Sequence, residues 1–222
     1  MSVGVAIDTA MVPGNLTRVQ MQKIILSYVQ ALQDDPELNE LANMSIRSGI
    51  SSINERNWKK LAAFHDIGLT ATDAEYELPT DYKDPLHCEL LGTGGRPNGR
   101  LHYKELKRLL REHPVSDQDG APSVYTIMYD QRLFRLEPAP AASFTALHPT
   151  ARARYFRRVP FPSEGDGTGL PPEFDWWLIW NGRSEIAAIR RPQVYGLAAG
   201  EAGRRWRQLK IDDNAVTDWS EC

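Results

Sequence analysis

The sequence predicts an α+β protein, a helical bundle made from the N- and C-terminal helices with an antiparallel β module inserted between them. Three observations predict it. Apolar residues recur at helical spacing near both ends of the chain, over residues 19–61 and again over 170–211. Between them, Val124–Tyr129 and Arg132–Leu136 alternate β-branched, aromatic and polar residues around a short turn at Asp130-Gln131, the signature of a hairpin. A Pro/Gly-rich linker, residues 160–172, then returns the chain to helical sequence. Helices at opposite chain ends must bury their apolar faces, and each other is the nearest surface available. The expected domains are residues 15–68 with 171–211 (helical, discontinuous), 69–160 (inserted, β-rich) and 212–222 (a C-terminal extension).

Taken in order, residues 1–14 lack periodicity and are expected to be loose, or docked only on assembly. Asn15 or Thr17 caps a first helix whose stripe is Leu16, Val19, Lys23, Leu26 and Leu32. Asp34-Asp35-Pro36 ends it. Glu37 opens a second helix, with Leu38, Leu41, Met44 or Ser45, Ile46, Ile50, Ile53, Trp58 and Leu61 inward, and His65-Asp66 closing its end before Gly68. Asn54 and Asn57 weaken it, so two shorter pieces are the alternative. Glu75–Leu78 and Leu86–Leu91 read as strands. Residues 92–99 form a loop in which Asn98-Gly99 favours a type I′ turn. Tyr103–Glu112 is helical in composition. After the hairpin, residues 143–156 read as a third strand, with Pro149 at an edge or bulge.

The last stretch holds four of the six tryptophans, Trp176, Trp177, Trp180 and Trp206. Pro171 and Pro172 start a helix whose inner face is Phe174, Trp177, Leu178, Asn181, Glu185 and Ile189. Arg191 precedes Pro192 and is pushed out of helical geometry, so a second helix follows, with Tyr195, Ala198, Ala199, Ala202, Trp206 and Leu209 inward. Gly196, Gly200 and Gly203 sit on that helix. Each costs about 1 kcal/mol against alanine in a helix interior, which points to another backbone close by. It belongs either to the same bundle or to a neighbouring subunit, with Arg204 and Trp206 at the same contact.

Composition narrows the function. The 222 residues are 41% hydrophobic and 25% charged, ordinary for a globular protein. No apolar run reaches the ~20 residues of a membrane span, and the N-terminus makes a poor signal peptide. Two cysteines make no disulfide framework and suit synthesis in a reducing cytoplasm. A net charge of -3 argues against a dedicated nucleic-acid binder. The alternative to a structural role is a nucleic-acid module using Arg152, Arg154, Arg157 and Arg158, whose neighbours Tyr155 and Phe156 offer rings to stack on bases. On a strand, Arg152, Arg154 and Phe156 share one face, so a solvated or interface-facing edge fits equally.

No catalytic, metal or cofactor site is expected. Gly92-Thr93-Gly94-Gly95 lacks the ending of a phosphate loop. His87 and Cys88 are adjacent and cannot form a dyad with each other on a strand. With His102 and His113 they match no zinc spacing.

The motifs, in their order, resemble the head-to-tail adaptor (connector) proteins of tailed bacteriophages. Ser51–Leu61 ends the N-terminal helices with an Ile-Asn followed by Trp. Tyr76-Glu-Leu-Pro-Thr-Asp81 is similar to the opening of the family's β module. Tyr125-Thr-Ile and Leu133-Phe-Arg-Leu-Glu-Pro-Ala-Pro140 resemble its central strands, and residues 174–211 its terminal helix pair. The similarity spans residues 16–211; residues 92–113 and the Arg190-Arg191-Pro192 junction depart from the pattern.

The resemblance implies a non-catalytic virion protein made in the host cytoplasm. Its subunits would form a ring, typically dodecameric, beneath the portal protein. The ring would extend the channel for double-stranded DNA toward a tail or nozzle protein. It further implies that the C-terminal extension docks on the portal through Ile211, Asp212, Asp213, Val216 and Trp219, with Trp219 as anchor.

Overall fold

A computed structural model describes residues 16–28, 35–112 and 119–216. They form six α-helices, a short 3-10 helix and seven strands, so the class is mixed α and β. Two compact units result. One holds the described residues up to Leu61 and from Val159 onward, and the other is Ala62–Arg158.

In the first unit, α1 (Arg18–Tyr28), α2 (Pro36–Asn54) and the C-terminal helix that begins at Pro172 pack around one core. Asp35 caps α2 by accepting hydrogen bonds from the N–H groups of Glu37 (2.9 Å) and Leu38 (3.3 Å), with Pro36 in the first turn where its missing N–H costs nothing. α2 ends at Asn54 and a separate 3-10 helix holds Lys59–Leu61, so of the two expectations the break into shorter pieces is the one found. The Asn54 side chain leaves the helix to bond the main chain of Val159: Nδ2 donates to its carbonyl at 2.9 Å and Oδ1 accepts from its N–H at 2.8 Å. The chain turns there, and Trp58 drops fully into the core with Nε1 donating to the Ile53 carbonyl at 2.9 Å.

Trp58 stands edge-on to Phe174 and to Trp206, with centroids 5.0 and 5.2 Å away, and Trp177 lies 4.3 Å from Trp206. Such pairs add about 0.5–1.5 kcal/mol each beyond the area they bury. Two glycines let the helices approach. A Cβ on Gly49 would stand 2.5 Å from Leu178 Cδ2, and one on Gly182 would stand 2.7 Å from Ile25 Cδ1.

The second unit is one sheet in the order β1-β7-β3-β4-β5-β6-β2. Its strands are β1 (Ala62–Gly68), β2 (Glu75–Glu77), β3 (Tyr82–Leu91), β4 (Pro97–Tyr103), β5 (Val124–Met128), β6 (Leu133–Glu137) and β7 (Thr150–Arg157), with helices α3 (Leu106–Glu112) and α4 (Ala142–Leu147). Ile67 from one end, Cys88 from the middle and Phe134 from the other end share one buried cluster, so the sheet curls around it.

Several expectations are corrected. His65 and Asp66 lie in β1, not at a helix end. The turn after β3 uses Gly92–Arg96, with Gly95 at φ +70° donating to the Gly92 carbonyl, so Asn98-Gly99 falls inside β4. The strand expected from residue 143 is helix α4 first, and β7 begins only after Pro149, which has no N–H to give a ladder. β3 reaches back past Pro85, which the sheet tolerates because the register shifts there. Nor is the module antiparallel throughout. β4 and β5 pair in parallel, His102 with Val124 and Tyr103 with Tyr125, because the connection carrying α3 is long enough to bring the chain back in the same direction.

The C-terminal helices α5 (Pro172–Arg190) and α6 (Pro192–Asn214) break at Arg191 as the proline predicts. α6 runs past Ile211 to Asn214. Ile189 and Tyr195, expected inward, are exposed; the buried positions nearest the break are Ile186 and Ala187 on α5 and Ala198 on α6.

Candidate interaction surfaces

The three glycines of α6 are all on its exposed side. A Cβ at Gly196, Gly200 or Gly203 would meet nothing within 4 Å, so the described residues of this chain supply no close backbone for them. Tyr195 (46% exposed) and Leu197 (69%) flank them. Arg204 points outward and pairs with Glu201 at 2.9 Å. Trp206, expected at the same contact, turns inward to Trp58 and Trp177, with Lys210 Nζ 5.4 Å from its ring. Beside Gly203, a groove of ≈ 440 Å³ is walled by Ser52, Glu55, Trp177, Asn181 and Ala199.

Residues at the end of α6 divide. Ile211 is 60% exposed. Asp212 accepts from Gln208 Nε2 at 2.7 Å. Asp213 is 2% exposed and accepts from the Lys60 N–H at 3.0 Å, with Arg56 at 4.0 Å. Lys59 Nζ donates to the Val216 carbonyl at 3.1 Å. The fold therefore uses Asp213 and the Val216 main chain to hold the helix end down. Trp219 lies outside the described residues.

On β7 the burial alternates as a strand requires, with Ala151, Ala153 and Tyr155 inward and Arg152, Arg154 and Phe156 on the other face. Arg152 is committed. Its Nε and Nη2 donate to Asp66 at 2.7 and 2.8 Å, and its guanidinium lies 4.9 Å from the Phe64 ring. The guanidinium holds the Asp66 carboxyl below its ordinary range. Glu89 pairs in register with both Arg152 and Arg100. Asp66, Arg152, Glu89 and Arg100 thus alternate in sign across four strands, and Arg152, the first arginine of the basic row, is neutralised within the sheet. Arg154 and Arg157 are half-buried and Arg158 is exposed.

His87 Nε2 is 3.1 Å from Glu89 Oε1, and burial lowers its pKa in spite of that carboxylate. Cys88 is fully buried, and burial pushes its thiol up to about 12, the reverse of what a nucleophile needs. Among the described residues no group of three or more His, Cys, Asp or Glu side chains could hold a metal ion. No helix among them is long and apolar enough to cross a membrane.

A family model described as SU10 adaptor protein matches residues 21–217. The chain belongs to the SU10 adaptor protein family. This is a family of phage head-to-tail adaptors, which makes the chain a structural phage protein and a component of the virion. Association with phage portal and tail proteins follows from that membership. No curated protein matches the chain.

For an adaptor, the surfaces of interest are those that its own packing leaves uncovered: the outer stripe of α6 and the Ile211 end. Sequence reasoning missed the glycines that matter inside the fold. Gly49 and Gly182 sit among Ile46, Ile50 and Ile53 and among Leu178, Ile179 and Ile186, and that apolar setting was the available signal. Gly203 stands instead beside Arg204 and Arg207, the setting of a solvent face, while Gly196 and Gly200 stand beside the exposed Tyr195 and Leu197 and the half-buried Glu201.

Proposed function

We propose that twelve copies of this adaptor form a ring below the portal, extending the double-stranded DNA channel and joining capsid to tail. In this reading the helices form a bundle that carries the subunit and portal contacts. Ala62–Arg158 is an inserted module presented outward or tailward to a tail or nozzle protein. Gly196, Gly200, Gly203 and Arg204 lie at the subunit contact, while Ile211, Asp212, Val216 and Trp219 lead the C-terminal end onto the portal. Asp213 acts from inside, by fixing the point where that end leaves the helix.

The observation that carries the reading is the exposed glycine stripe of α6. Three glycines together cost about 3 kcal/mol in helix propensity, and among the described residues no atom of their own unit makes use of the space they leave. A neighbouring subunit that packs closely there offsets the cost. The formal charge of -3 suits a channel that must release DNA, since a wall neutralising many phosphates would hold it. Electron microscopy of the protein mixed with its candidate portal tests the reading. An added ring below the portal is the expected image; portals that stay bare at saturating adaptor overturn it.

A further inference from the structure

Strand β1 is an end strand of the sheet. Its inner edge pairs with β7 without a register shift, from Ala62 opposite Phe156 to Gly68 opposite Thr150. Its outer edge has no ladder partner among the described residues. Nor is the strand covered: Phe64 is 63% exposed, Asp66 and Gly68 are exposed, and Ala62, Ala63 and His65 are only half-buried. Open edges template the addition of another strand, and proteins blunt them with short length, proline, lysine or a bulge. The opposite end of this sheet is blunted, since β2 is only three residues, two of them glutamates. β1 is seven residues long, has no proline, lysine or bulge, and its one carboxylate, Asp66, is paired with Arg152 on β7.

The same chain supplies a sequence of matching pattern. Residues 1–14 have no sustained periodicity, but within them Val3, Val5 and Ile7 alternate briefly with Gly4 and Ala6. The alternation is β-branched and too short to stand alone as an element. It lies outside the residues that the family model matches. On β1, Ala63, His65 and the buried Ile67 share one face, and Phe64 with Asp66 the other. A strand whose small residues fall beside Phe64 leaves room for that ring to lie across a glycine, and its valines and isoleucine then extend the Ile67 side. The chain from Ile7 to Leu16 spans up to about 30 Å when extended, enough to reach an adjacent subunit.

We propose that residues 3–8 of one copy add as a strand to the free edge of β1 in the next copy. The proposal rests on the ring reading, in which every donated strand finds an acceptor and no edge is left open.

The test uses two full-length preparations, one carrying Val5→Cys and the other Ala63→Cys, both with Cys222→Ser. Cys88 is buried and stays unlabelled. After assembly of the mixture, a short bismaleimide is expected to yield a covalent heterodimer, lost when the donor also carries Gly4→Pro. Independently, amide exchange over residues 62–68 is expected to slow roughly tenfold on assembly, and not after deletion of residues 2–10. Rings without the heterodimer and without slowed exchange overturn strand donation and leave the ring standing. A heterodimer with no ring in micrographs keeps strand donation and overturns the ring. A Val5→Cys/Ala63→Cys double variant that cross-links only within single chains overturns donation between copies.

Discussion

Asn54 and Val159, 105 residues apart in sequence, exchange two hydrogen bonds through the Asn54 amide. They stand where the chain leaves the helical unit and where it returns, so one side chain ties the two halves of a discontinuous unit together. Val159 is 4% exposed. Asn54→Ala would leave both its main-chain groups buried without partners, and the expected loss is about 2 kcal/mol. A lower urea midpoint at unchanged m-value is the readout. Asn54→Asp keeps the acceptor and is expected to fall between.

The two kinds of glycine separate by where their cost appears. Gly182→Ala drives a Cβ to 2.7 Å from Ile25, and Gly49→Ala drives one to 2.5 Å from Leu178. Each is expected to destabilise the isolated subunit by about 1–3 kcal/mol through overpacking. Gly200→Ala meets open space and is expected to stabilise it by up to about 1 kcal/mol, yet to lower the yield of rings. Thermal denaturation and ring counts check the two halves. A Gly200→Ala variant that assembles as well as the parent contradicts the subunit contact.

Where the C-terminus is cut decides the outcome. Truncation after Val216 spares Asp213 and the Val216 carbonyl that Lys59 holds, so stability is expected to change by less than about 0.5 kcal/mol while portal binding is lost. Truncation before Ile211 removes Asp213, leaves the Lys60 N–H without its acceptor and strips the last turn of α6. That variant is expected to be less stable as well. Comparing the two by denaturation and portal co-sedimentation separates docking from folding; full portal binding by the shorter cut refutes the docking role.

Arg152→Met frees the Asp66 carboxyl, whose pKa is held down chiefly by its hydrogen bond to Arg152. A carboxylate depressed in the folded state adds stability above its ordinary pKa and loses it as pH falls through the folded value. The variant is expected to titrate Asp66 higher, in the ordinary carboxylate range, by carbon-detected magnetic resonance. An exposed pair of this kind is worth only about 0–1 kcal/mol, so the melting temperature should barely move. If Asp66 titrates unchanged, the pairing is wrong.

Much was legible in the sequence because it is local. Pro192 breaks the C-terminal helices whatever surrounds it, a second helix opens at Pro36-Glu37, and the alternation on either side of Asp130-Gln131 makes a hairpin. The order of motifs was enough to point to the adaptor family. What only the tertiary structure decided depends on partners distant in sequence. α2 stops at Asn54 because Val159 competes for its amide. Residues 62–68 are a strand because β7 offers a ladder, where composition alone allowed a helix end. Asp213 looks like one more acid of a charged tail until Lys60 and Arg56 enclose it. Gly49 and Gly182 carry the close approach, and Gly196, Gly200 and Gly203 do not, since a glycine's worth is set by what stands opposite it. The spacing of a chain's own residues gives helical and strand faces, but which face is covered is a property of three dimensions.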